Sequence, residues 1–179
     1  PRIIDAQPFD GFDRKVERLG MTGLLDEVKG LVTNFAFLLA ETRQANGAAV
    51  LREMLDARFA DTPGWRIVKS GGIDWTKCVR HDGAEVCMGV ELQISARSDL
   101  PTNDLTHLMQ AIEVGNIDVG VIVVPCDKTA HYLTDRCPRF SYAIDHVNRA
   151  KGQFSPLLLL SIGHDGIGPP LPKKITNRG

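Results

Sequence analysis

Two carboxylates and an amide have the types and spacing to share a reaction: Asp74, Glu91 and Gln93, with Asp82-Gly83 between the first two. An Asp-Gly pair set between alternating apolar residues marks a two-residue hairpin turn of type I′, in which both central residues need positive φ. That turn pairs residues whose numbers sum to 165, so Arg80 faces Glu85 and Asp74 faces Glu91. The first pair is favourable, whereas two like charges with Cβ atoms about 4.5 to 5.5 Å apart repel. A hard divalent cation between them explains the second pair, because Mg²⁺ takes oxygen ligands and works with one or two carboxylates plus a substrate phosphate. Gln93 shares their face and is placed to orient a water. Such an ion lowers the pKa of its bound water and neutralises charge developing on a phosphate oxygen. The plain alternative is a solvated sheet face on which the carboxylates never meet.

The elements that must carry these residues follow from periodicity. Leu24, Leu25, Val28, Leu31, Val32, Phe35, Leu38 and Leu39 recur at three and four, which predicts a long helix over 22–43 and offers its stripe as a dimer contact or a cover for the sheet. Asn46 is a candidate cap for a second helix, with Val50, Leu51, Met54, Leu55 and Phe59 on its buried face and Pro63-Gly64 as its stop. Its outer face carries Arg52, Glu53 and Asp56, and Glu53 is the further acid that this helix can bring to the site, beside Asp56.

The period then changes to two. Trp65 to Lys69 is a short strand candidate, and Ile73 to Arg80 with Glu85 to Ser95 form the hairpin. Ile73, Trp75, Val79, Val86, Met88, Val90, Leu92 and Ile94 are expected on a core face, and Asp74, Thr76, Gly89, Glu91, Gln93 and Ser95 on the other. A helix starts at Pro101-Thr102-Asn103 and stops at Gly115; Ile117 to Val124 is a strand buried on both faces; Phe140 to Arg149 is a helix and Pro156 to Ile162 another buried strand. These readings give an α/β fold with a mixed central sheet flanked by helices, in the order helix, three strands, helix, strand. One domain is expected over 1–179, with N-terminal helices at 1–62, a catalytic core at about 63–163 and a basic tail at 164–179.

Composition sets the outer bounds. With 179 residues, 43% hydrophobic and 24% charged, the chain is an ordinary globular domain and is neither disordered nor fibrous. Its longest apolar stretches fall far short of the roughly 20 residues that cross a bilayer, so no membrane partner is expected. Pro1 to Asp5 lacks the basic-then-apolar pattern of a signal peptide, and a cytoplasmic protein is expected. The net charge of −1 excludes a generally basic coat while leaving room for a local basic cleft. Cys78 and Cys87 also sum to 165 and can bridge the hairpin, but in a reducing cytoplasm all four cysteines are expected as free thiols. His131 and His164 have no partners at metal spacing and read as ordinary hydrogen-bonded histidines.

Asp74 followed after a hairpin by Glu91-Leu92-Gln93 resembles the PD-(D/E)xK nucleases, whose acidic pair and third polar residue share one hairpin. The usual Lys is Gln93 here, as in the type II restriction endonucleases of the BglII/BstYI-like group, which have Glu-Val-Gln. The likeness continues through Asn116-Ile117-Asp118-Val119-Gly120-Val121, Val124-Pro125, Phe140-Ser141-Tyr142 and Pro156-Leu157-Leu158-Leu159, covering roughly residues 65–162. In that group the first Asp stands at a spacing that here selects Asp82, nine residues before Glu91. The turn geometry favours Asp74, since Asp82 would sit at the hairpin tip some 25 to 30 Å from Glu91 at about 3.3 Å per residue.

The resemblance implies a restriction-endonuclease-like core and Mg²⁺-dependent, sequence-specific hydrolysis of double-stranded DNA by a homodimer of a restriction-modification system. Asp74, Glu91 and the Leu92 backbone carbonyl would hold the metal, and Gln93 would position the water. Ser95, Arg97 and Ser98 from one loop, and Thr134, Asp135 and Arg136 from another, would contact the DNA, with a GATC-centred palindrome as the expected site. Two alternatives stay open: a repair or recombination nuclease of the same fold, and a DNA-binding module without cleavage, which the missing Lys invites.

Overall fold

The continuous β-branched and leucine runs become the middle of the sheet. The computed structural model describes residues 1–67, 72–94, 100–134 and 137–173. In chain order these form β1 (Arg2–Pro8), α1 (Phe12–Arg18), α2 (Thr22–Thr33), β2 (Leu38–Leu39), α3 (Ala48–Ala60), β3 (Trp75–His81), β4 (Ala84–Leu92), α4 (Leu100–Glu113), β5 (Val119–Pro125), α5 (Asp127–Tyr132), α6 (Phe140–Arg149), β6 (Leu157–Gly163) and β7 (Gly166–Ile167). The main sheet runs β1-β6-β5-β4-β3, with β4, β5 and β6 parallel and both edge strands antiparallel. The fold is therefore α/β with a mixed sheet, as the patterning predicts.

Every residue of β5 and β6 is buried. Alternation divides them between two cores. Val119, Val121, Val123, Leu158, Leu160 and Ile162 pack with Leu51, Leu55 and Phe59 of α3 and the apolar stripe of α2. Ile122, Val124, Leu157 and Leu159 pack with Leu105 and Leu108 of α4 and with Ala143 and Val147 of α6. Helices thus cover both faces, and this explains why the two strands show no polar alternation in sequence. No helix among the described residues is long and apolar enough to cross a membrane.

The N-terminal third departs from its predicted helices. β1 is an edge strand paired with β6, and most of its side chains are exposed, so it lacks the alternating pattern that marks a half-buried strand. The helix predicted over 22–43 ends at Thr33, whose hydroxyl turns back to donate to the Lys29 carbonyl (2.7 Å). Beyond Asn34 the chain is extended: Phe37 and Leu39 are buried while Leu38 is exposed. Asp165 holds it there, its carboxylate accepting the Phe37 N–H (2.9 Å) and its own N–H donating to the Phe37 carbonyl. Phe35 and Leu39 fitted a helical stripe because residues four apart share a face in a helix and in a strand alike, whereas Leu38 points the other way. The stripe of α2 lies in the chain's own core and is not left for a dimer contact.

Asn46 is not a helix cap, since α3 starts after Gly47. Its fully buried amide is a four-way tie: it donates to the carbonyls of Ala40 and Tyr132 and accepts from the N–H groups of Ala40 and Leu171. The residues assigned to a basic tail accordingly include β7, parallel to β2, and Leu171, bound to Asn46. Of the strand expected at 65–69, the described part is one antiparallel bridge between Arg66 and Thr76, and Lys69 lies outside the described residues.

Candidate active site

The β3–β4 hairpin has the predicted turn, with Asp82 at φ 49° and Gly83 at φ 82°. Its register pairs Arg80 with Glu85, Cys78 with Cys87 and Trp75 with Val90. The ladder ends at that pair, and Asp74, expected opposite Glu91, lies one residue beyond it at the open end of the hairpin. Asp82 lies at the tip, at the other end of β4 from Glu91, with its side chain 91% exposed and beside His81.

Asp74 sits on a bend just before β3, and there the alternation breaks. Ile73 packs in the α4 and α6 core and Trp75 in the α3 core, although both were expected on one face. The bend turns the Asp74 carboxylate toward the β4 backbone and α3. The Leu92 N–H donates to its Oδ2 (2.8 Å) and Arg52 Nη2 donates to its Oδ1 (2.7 Å).

Arg52 is the residue that sequence reasoning placed on the outside. It is 24% exposed, and its guanidinium also donates from Nη1 to the Leu92 carbonyl (2.7 Å) and from Nε to Asp56 Oδ2 (2.8 Å). Trp75 Nε1 donates to the other oxygen of Asp56 (3.0 Å), fixing that carboxylate against the hairpin. Burial works against the guanidinium's charge, but Asp74 and Asp56 outweigh it and hold Arg52 above its ordinary pKa. The signal for this placement was available: Arg52 and Asp56 are four apart, and each is one residue along from Leu51 and Leu55 of the buried stripe. An open cleft adjoins the cluster, lined by Ala57, Ala60, Ile67, Gly72 and Ile73 as well as by Arg52, Asp56 and Asp74. Glu53, the expected further acid, is exposed, and the carboxylate that α3 brings to Asp74's partner is that of Asp56.

Glu91 and Gln93 are buried to 1% and 2% exposure. On β4 the even residues Val90 and Leu92 face the α3 core, while a Cβ at Gly89 would meet Ile117, Leu108 and Ile73 of the other. Gln93, four residues on from Gly89, lines a crevice on that side with Leu105, Ile122, Pro138 and His146. Its Oε1 is buried without a hydrogen-bond partner among the described residues. The structure thus joins Asp74 to the Leu92 backbone at one cleft and sets the Gln93 amide in another crevice.

The expected DNA-contacting residues divide likewise. Thr134 is tied to the start of α3: its Oγ1 accepts the Ala48 N–H (3.3 Å) and its N–H donates to the Asn46 carbonyl (2.8 Å). Ser95, Arg97, Ser98, Asp135 and Arg136 lie outside the described residues. Cys78 and Cys87 are joined in a disulfide, correcting the expectation that all four cysteines are thiols; Cys126 and Cys137 are in no disulfide. The physical reason is register. The Cys87 N–H and carbonyl both bond toward Asp118 beside β5, so Cys78 and Cys87 form a directly opposed pair without hydrogen bonds between them.

Asp74, Asp56 and the Leu92 carbonyl each accept from a different nitrogen of the Arg52 guanidinium beside an open cleft, and oxygens of these types are the ligands that a hard cation takes. The one group of three His, Cys, Asp or Glu side chains that stands at metal-holding distance among the described residues is Cys78, Glu85 and Cys87, and its sulfurs are bonded to each other. Compared with protein-family models and with curated proteins, the chain matches none.

Proposed function

We propose that this chain is a Mg²⁺-dependent, site-specific endonuclease of double-stranded DNA, with the core and site of a type II restriction endonuclease. The observation that carries the reading is the convergence of the Asp74 carboxylate and the Leu92 carbonyl on one cation at the open end of the hairpin, next in sequence to Glu91. The expected ligands are Asp74, Glu91 and the Leu92 carbonyl; Asp74 and the Leu92 carbonyl already meet at the cleft, whereas Glu91 is buried and shares the strand parity of Gly89 and Gln93, so its carboxylate would have to reach the ion from the other side of β4. When bound, the ion supplies an acidified water and a counter-charge for the phosphate. The chain's own share is positional. The Leu92 N–H fixes one oxygen of Asp74 and leaves the other directed at the cleft. Gln93 has no titratable group, so it orients and does not take a proton.

Dimerisation through a two-fold axis is part of the proposal, because a palindromic duplex presents identical half-sites and each strand needs a site. Incubation with defined plasmids in Mg²⁺ should give discrete fragments, abolished by a chelator, with ends that map to one GATC-centred palindrome; light scattering on the cognate duplex should give a dimer. Smeared products would favour a repair or recombination nuclease. A DNA-binding module without cleavage is the second reading, favoured by the burial of Gln93 and by Arg52 standing among the oxygens that a metal would need. Binding without cutting in Mg²⁺ or Mn²⁺ would establish it.

A further inference from the structure

Arg52 and a divalent ion cannot both occupy the open end of the hairpin as it stands. Three of the five guanidinium N–H donors are committed at 2.7 to 2.8 Å, to Asp74, the Leu92 carbonyl and Asp56. Two of those acceptors belong to the proposed metal set. An ion bonded to both would lie within a few Å of the guanidinium carbon, and two cations that close in a half-buried site repel strongly.

The surroundings allow the side chain to leave while its helix stays. Arg52 is carried on a long side chain from α3, and the cleft beside it is lined by the small residues Ala57, Ala60 and Gly72. Charge gives the departing guanidinium a destination. Asp56, Asp74, Arg52 and the Glu91 of the proposed metal set sum formally to −2; a divalent ion brings the same groups to zero, which removes the repulsion that a phosphate would otherwise meet there. A guanidinium also matches phosphate with two parallel hydrogen bonds. Gln93 is neutral and buried in the other crevice, so it brings no positive charge to a phosphate in this cleft.

We propose that Arg52 is a cation with two positions. Without metal it holds Asp74 and the Leu92 carbonyl together; when a divalent ion takes those oxygens, it turns into the cleft and binds a phosphate of the duplex. The proposal rests on the metal-dependent reading of this site.

The test begins with the full-length chain free of DNA, titrated with Mn²⁺ while free Mn²⁺ is read by electron paramagnetic resonance. Wild type, Arg52→Gln, Arg52→Lys and Asp74→Asn are compared, each checked for folding by circular dichroism. Arg52→Gln should bind Mn²⁺ roughly tenfold more tightly, because the ion no longer breaks charge-assisted bonds to enter. Duplex binding in Ca²⁺ is then measured against salt, where Arg52→Gln should show a slope shallower by about one counterion and Arg52→Lys should restore it. If wild type binds Mn²⁺ and folded Arg52→Gln binds it no better, or if the salt slope is unchanged, Arg52 has no such role and the nuclease reading stands. If neither wild type nor Arg52→Gln binds Mn²⁺ above the Asp74→Asn level, the metal centre itself is refuted, and the proposal with it.

Discussion

Two polar clusters of this protein use the same kinds of groups to different ends. At the open end of the hairpin, one guanidinium gathers Asp74, Asp56 and a carbonyl beside an open cleft. Near the start of β7, Glu41 accepts from Lys128 Nζ (2.7 Å) and from His164 Nε2 (3.0 Å). Because an ionised carboxylate only accepts, Nε2 carries the proton, and in the neutral ring Nδ1 accepts the Thr129 hydroxyl (2.8 Å). Thr129 is fully buried, and its oxygen also receives the His164 N–H and the Cys126 thiol. The second cluster locks α5 to the end of β6 with its central hydroxyl out of solvent, and it bears out the reading of His164 as a hydrogen-bonded histidine. Both clusters border open space, a wider cleft beside Arg52 and a smaller one lined by Glu41, Lys128 and His164; what separates them is the central group, a partly exposed guanidinium in the first and a fully buried hydroxyl in the second.

Exchanging atoms one at a time should sharpen that contrast. Asp74→Asn and Glu91→Gln each remove a charge from the proposed metal set and should lower plasmid cleavage by about 10³-fold or more, since several kcal/mol of charge stabilisation at tenfold per 1.36 kcal/mol is lost. DNA binding should survive or improve, because phosphate repulsion falls. Cleavage within a few-fold of wild type for both variants would remove the first cluster from the reaction.

In the second cluster, built around a buried hydroxyl, the loss should appear as stability alone. Thr129→Val keeps the shape but leaves the His164 ring and N–H without their shared partner, and should cost about 1 to 3 kcal/mol in denaturant unfolding. Cleavage per folded molecule should be unchanged. A variant of full stability and reduced cleavage would reverse the roles of the two clusters.

A smaller effect should come with pH. The hydrogen bonds from Lys128, then from His164, hold the Glu41 carboxyl below its ordinary value of 4.5. The folded state therefore releases that proton at lower pH than the unfolded chain does. The resulting stability is fully present above the ordinary carboxylate value and is lost as pH falls through the lowered folded one. Glu41→Gln should flatten this part of the pH dependence of the thermal midpoint, and an unaltered profile would show that the tie is not felt. The smallest change belongs to Asp82→Asn, at the exposed tip of the same hairpin. Asn also tolerates positive φ, so stability should move by no more than about 0.5 kcal/mol and cleavage should not move. If Asp82→Asn abolished cutting while Asp74→Asn did not, the spacing of the resembled group would outrank the register.

The features legible in the sequence are those whose cause lies within a few residues. Asp82-Gly83 determines its own turn because both residues accept positive φ, and the turn carries the register as far as Trp75 and Val90, one residue short of Asp74 and Glu91. The runs at β5 and β6 declare strands buried on both faces, and the periodic stripes of α3, α4 and α6 declare helices, since each pattern is a local record of burial. Tertiary structure decided the rest. β1 is a strand because β6 offers it an edge, and Phe35 to Leu39 leave the helix because Asp165 and β7 offer hydrogen bonds to an extended chain. Arg52 and Gln93 exchanged their expected surroundings for the same reason. Which polar residue faces a cleft and which is covered depends on the element packed across from it, and a residue on α3 meets one on the hairpin only after the sheet has formed.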